Sequence, residues 1–375
     1  DRPFDYDIYR GLERKRVHRK PLRTVPKHTQ LRQQLDRFKD MSAVLIRSLE
    51  SPAELLVEAY KVLLEFYKTA DARFEAIDDK IKLLESNNED HNLDLIKKYN
   101  LEKKNLLKKI YSSLTSWQKV KISRHSNRPH TLDYVNNIFS NFIPLSGDKK
   151  FAEDKSIVGG LAKIEDLSVM IIGNEKGNSM EKRIEHNFGM AKPEGYRKAQ
   201  RLLILAEKLK LPIVTFVDTA GAFPGKEAEE RGQSESIASS IAQCLKVKTP
   251  IISIIIGEGG SGGAIALATA DRILMLQNSI FSVISPEGCA SILWRNTEAV
   301  QKAAKSLKLT AEDCLELNII DGIVKEMPGG AHRYPKEQFI AVKKTIIENL
   351  EELIKLSVEK IVADRNEKFL NITLN

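Results

Sequence analysis

The sequence predicts an α/β fold built on a largely parallel, buried sheet. Three observations carry this. From Phe151 onward, strand-like and helix-like patterns alternate along the chain. Two apolar runs, "PIVTFVD" at 212–218 and "IISIII" at 251–256, have the length and composition of buried strands. Each runs into a glycine-bearing loop, "TAGAFPG" or "GEGGSGG", and ligands of such folds gather where strands end and helices begin.

The totals bound the answer. The 375 residues suffice for one large core with an appendage, or for two domains. Apolar and charged fractions of 42% and 29% are ordinary for a soluble protein. No apolar stretch approaches the ~18 residues of a membrane span, and the N-terminus shows no signal-peptide pattern. It also lacks an initiator Met, which suits a fragment or a processed end. Cys244, Cys289 and Cys314 are scattered and odd in number, against a disulfide framework or a Cys-x-x-Cys zinc site and in keeping with a reducing compartment. Of the net charge of +8, residues 1–40 carry +6, from twelve Lys/Arg against six Asp/Glu. With few apolar residues and no periodicity, that stretch reads as a solvated, disordered arm, and nucleic-acid binding would rest on it alone.

The elements follow in order. "SPAE" at 51–54 opens a helix, with Ser51 as N-cap and Pro52 at the first helical position. Leu55, Leu56, Ala59, Leu63, Leu64 and Tyr67 recur at helical spacing. After the polar break "SNNEDHN" comes a second helix with Ile96, Tyr99, Leu106, Ile110, Leu114 and Trp117 on one side. Together they predict a helical hairpin serving packing or assembly. "SIVGGLAKIEDLSVMIIGN" predicts a β-hairpin turning at Glu165-Asp166. A helix over 194–210 turns Tyr196, Ala199, Leu202, Leu203, Ala206 and Leu209 inward, and the strand at 212–218 follows. A helix over 229–246 runs along Ile237, Ile241 and Leu245. The strand at 251–256 leads into a short helix from Gly262 to Ala270. Strands "RILML" and "IFSVIS", further helices around "LTAEDCLELNIIDGIV" and one long helix over 336–363 complete the chain.

"GEGGSGG" holds five glycines in seven residues, a loss of about 3–5 kcal/mol in conformational preference relative to alanine. A helix leaving at Gly262–Gly263 has unpaired N–H groups at the positive end of its dipole. Bare of Cβ, they can cradle a developing oxyanion, each donor being worth about 2.7–4 kcal/mol in a transition state. The plainer alternative is a glycine turn that packs helix against sheet. The dinucleotide pattern Gly257-x-Gly259-x-x-Gly262 lacks its downstream acid. Gly259-Gly260-Ser261-Gly262-Gly263 satisfies the G-x-S-x-G elbow of serine hydrolases, with Asp321 and His332 as the available partners. Ser261 as a helix N-cap is the easier role. "SPEGCASILW" starts a helix at Pro286 with Glu287 in its first turn, walling the same pocket. Lys176, Lys182, Arg183, Lys192, Arg197 and Lys198 form a basic cluster that reads as a solvated face.

The segments "RPHTLDYV", "SIVGGLA", "VMIIGNEKG", "NFGMAKPEGYRKA", "PIVTFVDTAGAFPG", "AEERGQSESIA", "IGEGGSGGAIALA", "SVISPEGCASILW" and "GGAHRYP" run in order over 128–335. Through them the chain resembles the α subunits of bacterial-type acetyl-coenzyme A carboxylase carboxyltransferases. The resemblance implies a crotonase (ClpP/crotonase) fold of stacked β-β-α units with an N-terminal helical arm. Residues 1–50, a disordered basic extension, match nothing in that family; after them the layout is a helical arm (51–125), the carboxyltransferase domain (126–335) and a C-terminal helix and tail (336–375). The resemblance further implies transfer of a carboxyl group from biotin, borne on a separate biotin carboxyl carrier protein and loaded by biotin carboxylase, to acetyl-coenzyme A, giving malonyl-coenzyme A. The active site would lie between this α subunit and a β subunit in an α2β2 assembly, with zinc expected in the β partner and no metal in this chain. Carried over residue by residue, the oxyanion cradle for biotin falls on Gly262 and Gly263, with Gly221 and Ala222 beside it. Gly259, Gly260, Ser261, Pro286, Glu287 and Gly288 would line the substrate. Ala220 departs from the proline common there. The implied compartment is a bacterial cytoplasm, with an organelle stroma as the alternative.

Overall fold

A computed structural model describes residues 92–296 and 299–372. The basic extension and the first helix of the predicted hairpin lie outside the described residues. The chain divides into two compact units, 1–99 and 100–375, and the elements that position the site belong to the second.

The predicted second helix is two. Helix α1 (Asn92–Tyr111) stops before a reciprocal capping box, in which the Thr115 hydroxyl accepts from the Gln118 amide and the Gln118 side chain from Thr115 N–H. Helix α2 (Ser116–Ser123) starts there. Among the described side chains of α1, Leu107 is buried and Leu106 and Ile110 are half-buried. Helix α3 (Thr131–Ile138) and strand β1 (Ser140–Pro144) come next. The predicted hairpin is β2 (Ile157–Ile164) and β3 (Leu167–Asn174), in unbroken antiparallel register, with Glu165 left-handed at φ 51°. Helix α4 (Met180–Glu185) and a 3-10 turn (Asn187–Gly189) lead to α5 (Pro193–Leu209). Tyr196, Ala199, Leu202, Leu203 and Ala206 are buried as expected, but Leu209, in the last helical position before left-handed Lys210, is exposed.

Strand β4 (Ile213–Thr219) is buried at every position. The helix predicted after it breaks at Gly232, whose φ of 80° only glycine adopts readily, giving α6 (Lys226–Glu230) and α7 (Gln233–Lys246). The fully buried face of α7 is Gln233, Ser236, Ser240 and Cys244, whereas Ile237, Ile241 and Leu245 are half-buried. Small residues win that face because α7 packs closely on α8 (Ser261–Ala268), where the Ser240 hydroxyl donates to Ala266 O at 2.8 Å. Strand β5 (Ile251–Gly260) directly precedes α8. Then follow β6 (Arg272–Leu276), β7 (Ile280–Ser282), α9 (Pro286–Trp294), α10 (Val300–Ser306), α11 (Ala311–Glu316) and β8 (Gly322–Val324). The long C-terminal helix divides into α12 (Pro335–Leu353) and α13 (Val358–Asn371), because Ser357 caps a new start by accepting from Lys360 N–H.

The eight strands form one sheet in the order β1-β2-β3-β4-β5-β6-β8, with β7 pairing the end of β5. From β3 to β8 the pairing is parallel. Each face carries its own core. One packs Ile213, Val217, Ile251 and Ile255 under α5, α7 and α8. The other packs Val214, Phe216, Ile252 and Ile254 under α3 and α12. Strand alternation alone produces the division. The ends of β3, β4 and β5 therefore open onto two sides.

Candidate functional site

The first side is the glycine loop. Four of its five glycines are required by packing. A Cβ on Gly257 would collide with the Asp218 carboxylate, and one on Gly260 with the Ala220 carbonyl. On Gly259 it would sit 2.8 Å from the Phe281 ring, and on Gly263 it would sit 2.7 Å from Gly221 C and 2.8 Å from Ala222 N. The packing explanation thus accounts for most of the glycines. Gly262 is different: a Cβ there meets only Ile237, at an ordinary 3.5 Å. Space does not demand a glycine at that position.

Helix α8 opens with Gly260 as N-cap and no side chain capping its first amides. Those N–H groups precede the first intrahelical bond and sit at the positive end of the dipole. The predicted N-cap Ser261 is corrected: it stands one residue inside, at φ 53°, a left-handed position that is strained for a non-glycine residue. Beside it the 219–222 turn offers one donor rather than two. Gly221 N–H is taken by the Thr219 hydroxyl at 3.1 Å, while among the described residues no acceptor takes Ala222 N–H. Behind both lies Tyr196, whose Oη would be 2.9 Å from a Cβ on Gly263 and is buried without a hydrogen-bond partner among the described residues. Such a group costs about 1–3 kcal/mol. Burial raises its pKa, so it stays a neutral hydroxyl.

Pro286, Glu287 and Gly288 begin α9 as predicted, with the Ser285 hydroxyl accepting from Gly288 N–H. Strand β7 brings this segment alongside β5, pairing Ser282 with Gly260. Glu287 is spoken for: its carboxylate holds Arg124 at 2.5 Å. The hydrolase triad does not assemble. Asp321 accepts from Ile273 N–H and Lys368, at the start of the parallel strands, whereas Ser261 follows their far end. Ten residues of β5 separate those ends by about 30 Å at strand rise. His332 stacks on His125 with ring centroids 4.0 Å apart. Burial, then the charges of His125, Arg333 and Arg128, lower its pKa to about 3.

The second side is ionic, and sequence reasoning missed it. Lys176 Nζ bridges Asp218 Oδ1 at 2.7 Å and Glu258 Oε2 at 2.9 Å. Arg124 Nε donates to Glu258 Oε1 at 2.6 Å. His130 Nδ1 lies 3.2 Å from Asp218 Oδ2, and its Nε2 is buried with no partner among the described residues. Burial opposes ionisation of Asp218, but Lys176, then His130, outweigh it and hold the carboxyl well below the usual range. Glu258 is likewise lowered by Lys176 and Arg124 against burial. Arg128 anchors this wall by a buried bidentate pair with Glu326, at 3.0 and 2.6 Å, and by donating to Ile256 O at 2.7 Å. Arg124, His130, Lys176, Asp218 and Glu258 line a pocket of about 280 Å³ together with Ser123, His125, Arg183, Phe188 and Ala220.

The basic cluster is therefore not one solvated face. Lys176 and Lys198 are turned inward, Lys198 onto Glu153 and, at 2.7 Å, Ile157 O. Arg197 donates to Arg231 O, and Lys192 lies over the Phe223 ring. Lys182 alone is exposed, pairing with Glu185. Among the described residues no group of three His, Cys, Asp or Glu could hold a metal ion, and no helix is long and apolar enough to cross a membrane.

Comparison with known proteins bears on this geometry. A family profile described as "Acetyl co-enzyme A carboxylase carboxyltransferase-like" matches residues 67–373. The acetyl-coenzyme A carboxylase carboxyl transferase subunit alpha of Rhodospirillum centenum is 51% identical over 309 residues, covering 82% of this chain and 97% of that one. Its namesake from Ruegeria pomeroyi is 54% identical over 267 residues, covering 71% and 83%. Among solved structures, a Pseudomonas malonate decarboxylase hetero-tetramer in complex with coenzyme A matches with a TM-score of 0.50 at 14% identity, covering 62% of this chain and 91% of that chain. That likeness concerns the fold alone, and it agrees with a crotonase-type α/β architecture.

Proposed function

The chain belongs to the acetyl-coenzyme A carboxylase carboxyltransferase α-subunit family, and from that premise we propose that its glycine loop is the oxyanion cradle of carboxyl transfer to acetyl-coenzyme A. The observation that carries the proposal is the uncapped start of α8 beside the unclaimed Ala222 N–H. Carboxybiotin, on a separate carrier protein, would supply the carboxyl group and present a ureido oxygen that becomes negative as the group leaves. The residues fit such an oxygen. Gly262 and Gly263 offer amide donors at a positive helix end, Ala222 offers another, and no side chain crowds Gly262. Gly221 contributes the turn rather than a donor. Gly259 and Gly260 let the loops approach, and Pro286, Glu287 and Gly288 wall the site.

Main-chain donors keep their charge distribution at every pH, so the cradle needs no titrating partner. The reading of Ser261 as a nucleophile loses its support with the triad. A β partner would complete the site in an α2β2 assembly and hold the thioester of acetyl-coenzyme A. Val283, next to the Ser282 that pairs with Gly260, is exposed by 73% and suits its docking. The reaction would belong to a bacterial cytoplasm, with biotin carboxylase reloading the carrier.

The test is malonyl-coenzyme A formation by the chain co-purified with its β partner and a carboxybiotin donor. Gly263→Val should lower kcat by about tenfold or more in an assembled complex. An unchanged rate would remove the cradle assignment.

A further inference from the structure

We propose that Arg124 is a positioning residue for carboxyl transfer: its guanidinium fixes the first turn of α9 against the end of β5, and so holds the wall beside the cradle. The inference rests on the reading of the glycine loop as the cradle and of residues 286–288 as its wall.

One side chain joins the two segments. Arg124 Nε donates to Glu258 Oε1 at 2.6 Å. Its terminal nitrogens reach Glu287, Nη1 donating to Oε1 at 2.5 Å and Nη2 to Oε2 at 3.4 Å. Glu258 stands on β5 directly before Gly259, and Glu287 lies in the first turn of α9. A guanidinium is planar and always charged, and its donors point along fixed directions, so it spans two carboxylates at a set separation.

The two ends of this bridge are held unequally. The Glu258 side chain is 10% exposed and is gripped from its other oxygen by Lys176 at 2.9 Å. Arg124 itself sits at the C-terminal end of α2, where its N–H donates to Val120 O at 3.2 Å. Val120 is fully buried in one cluster with Ile280 and Leu309. That end is fixed. At the other end, the pairing of β7 with β5 stops at Ser282, and the Glu287 side chain is 45% exposed. Gly288 N–H and Cys289 N–H both bond back to Ser285. Those bonds shape the turn without tying it to the sheet. The bridge through Arg124 supplies the tie.

The division of labour has a kinetic signature. The cradle amides belong to α8, seated by the close packing of Gly260 and Gly263 on the 219–222 turn, and they stay in place without Arg124. A loosened wall weakens contacts made on binding and kept in the transition state. Uniform binding of that kind appears in KM, whereas loss of a cradle donor appears in kcat.

The experiment is steady-state kinetics of the chain assembled with its β partner, varying the carboxybiotin-bearing carrier at saturating acetyl-coenzyme A. Arg124→Met should raise KM for the carrier about three- to fivefold, the scale of a partly exposed ion pair, with kcat within about twofold. Glu287→Ala should raise KM at least as much. In that background Arg124→Met should add less than about twofold, because the link is already cut. An unchanged KM in Arg124→Met overturns the proposal, as does a full further rise in the double variant or a fall confined to kcat. If Arg124→Met fails to fold, Glu287→Ala carries the test, since it leaves Glu258 paired with both of its cations; an unchanged KM there overturns the proposal. The cradle is judged separately by Gly263→Val in the same assay. An intact kcat in that variant removes the reading beneath the proposal, whereas a lowered kcat there beside an unmoved KM in Arg124→Met removes the role of Arg124 alone.

Discussion

The two sides of the same sheet edge present their polar groups by opposite means. On the α8 side the groups are main-chain amides, fixed by glycines pressed against a neighbouring turn. On the α2/α3 side they are side chains: Arg124, Lys176, Asp218 and Glu258 neutralise one another in a buried chain, with His130 beside Asp218. The first arrangement is indifferent to pH and sensitive to volume. The second depends on every partner being present and ionised.

That contrast can be broken from the ionic side first, where the expected effect is largest. Lys176→Met leaves Asp218 and Glu258 buried without their shared cation. It should destabilise the fold by about 3–5 kcal/mol, read as a lowered denaturation midpoint. On the cradle side, Gly263→Ala places a methyl 2.7–2.9 Å from the Gly221–Ala222 backbone and Tyr196 Oη. Overpacking there should cost about 1–3 kcal/mol.

Acid should separate the sides further. Asp218 and Glu258 have folded pKa values below their unfolded ones. Their contribution is present above about pH 4, the unfolded carboxylate range, and is lost as pH falls through the lowered values. His332 adds an earlier window. Folded, it titrates at about 3, against about 6.5 unfolded. The unfolded chain therefore binds the extra proton between those values, and stability declines as pH falls from the upper to the lower. His332→Phe should flatten the decline between pH 6.5 and 4 in a Tm-versus-pH series. A slope that survives the substitution would assign the window elsewhere.

The smallest effect belongs to Tyr196. Tyr196→Phe removes a buried hydroxyl that has no partner, so Tm should stay level or rise. A loss of stability beyond about 1 kcal/mol would mean that the hydroxyl is satisfied in the folded chain.

The same contrast explains what the sequence disclosed. The glycine loop was legible because its glycines are close together and follow an apolar strand, and the β2–β3 hairpin because its turn is local. The ionic side was not. Arg124 meets Glu258 across 134 positions, and Lys176 meets it across 82, so no window of the chain holds the network. Lys176 and Lys198 read as surface charges until their buried partners are known. Strand β8, three residues long, and edge strand β1 carry too little pattern to stand out. The breaks at Gly232 and Ser357 depend on one left-handed residue and one capping hydroxyl. Ser261 was placed one position off because Gly260 takes the N-cap.

Gly262 offers the most direct test, because it is the one loop glycine whose side-chain space is free. The measurement is kcat for malonyl-coenzyme A formation by Gly262→Val co-assembled with the β partner, with Tm recorded on the same preparation. If bare amides at the start of α8 hold the charge, kcat falls by about tenfold or more while Tm stays at or above that of the unaltered chain. A valine that leaves kcat intact would contradict the cradle outright.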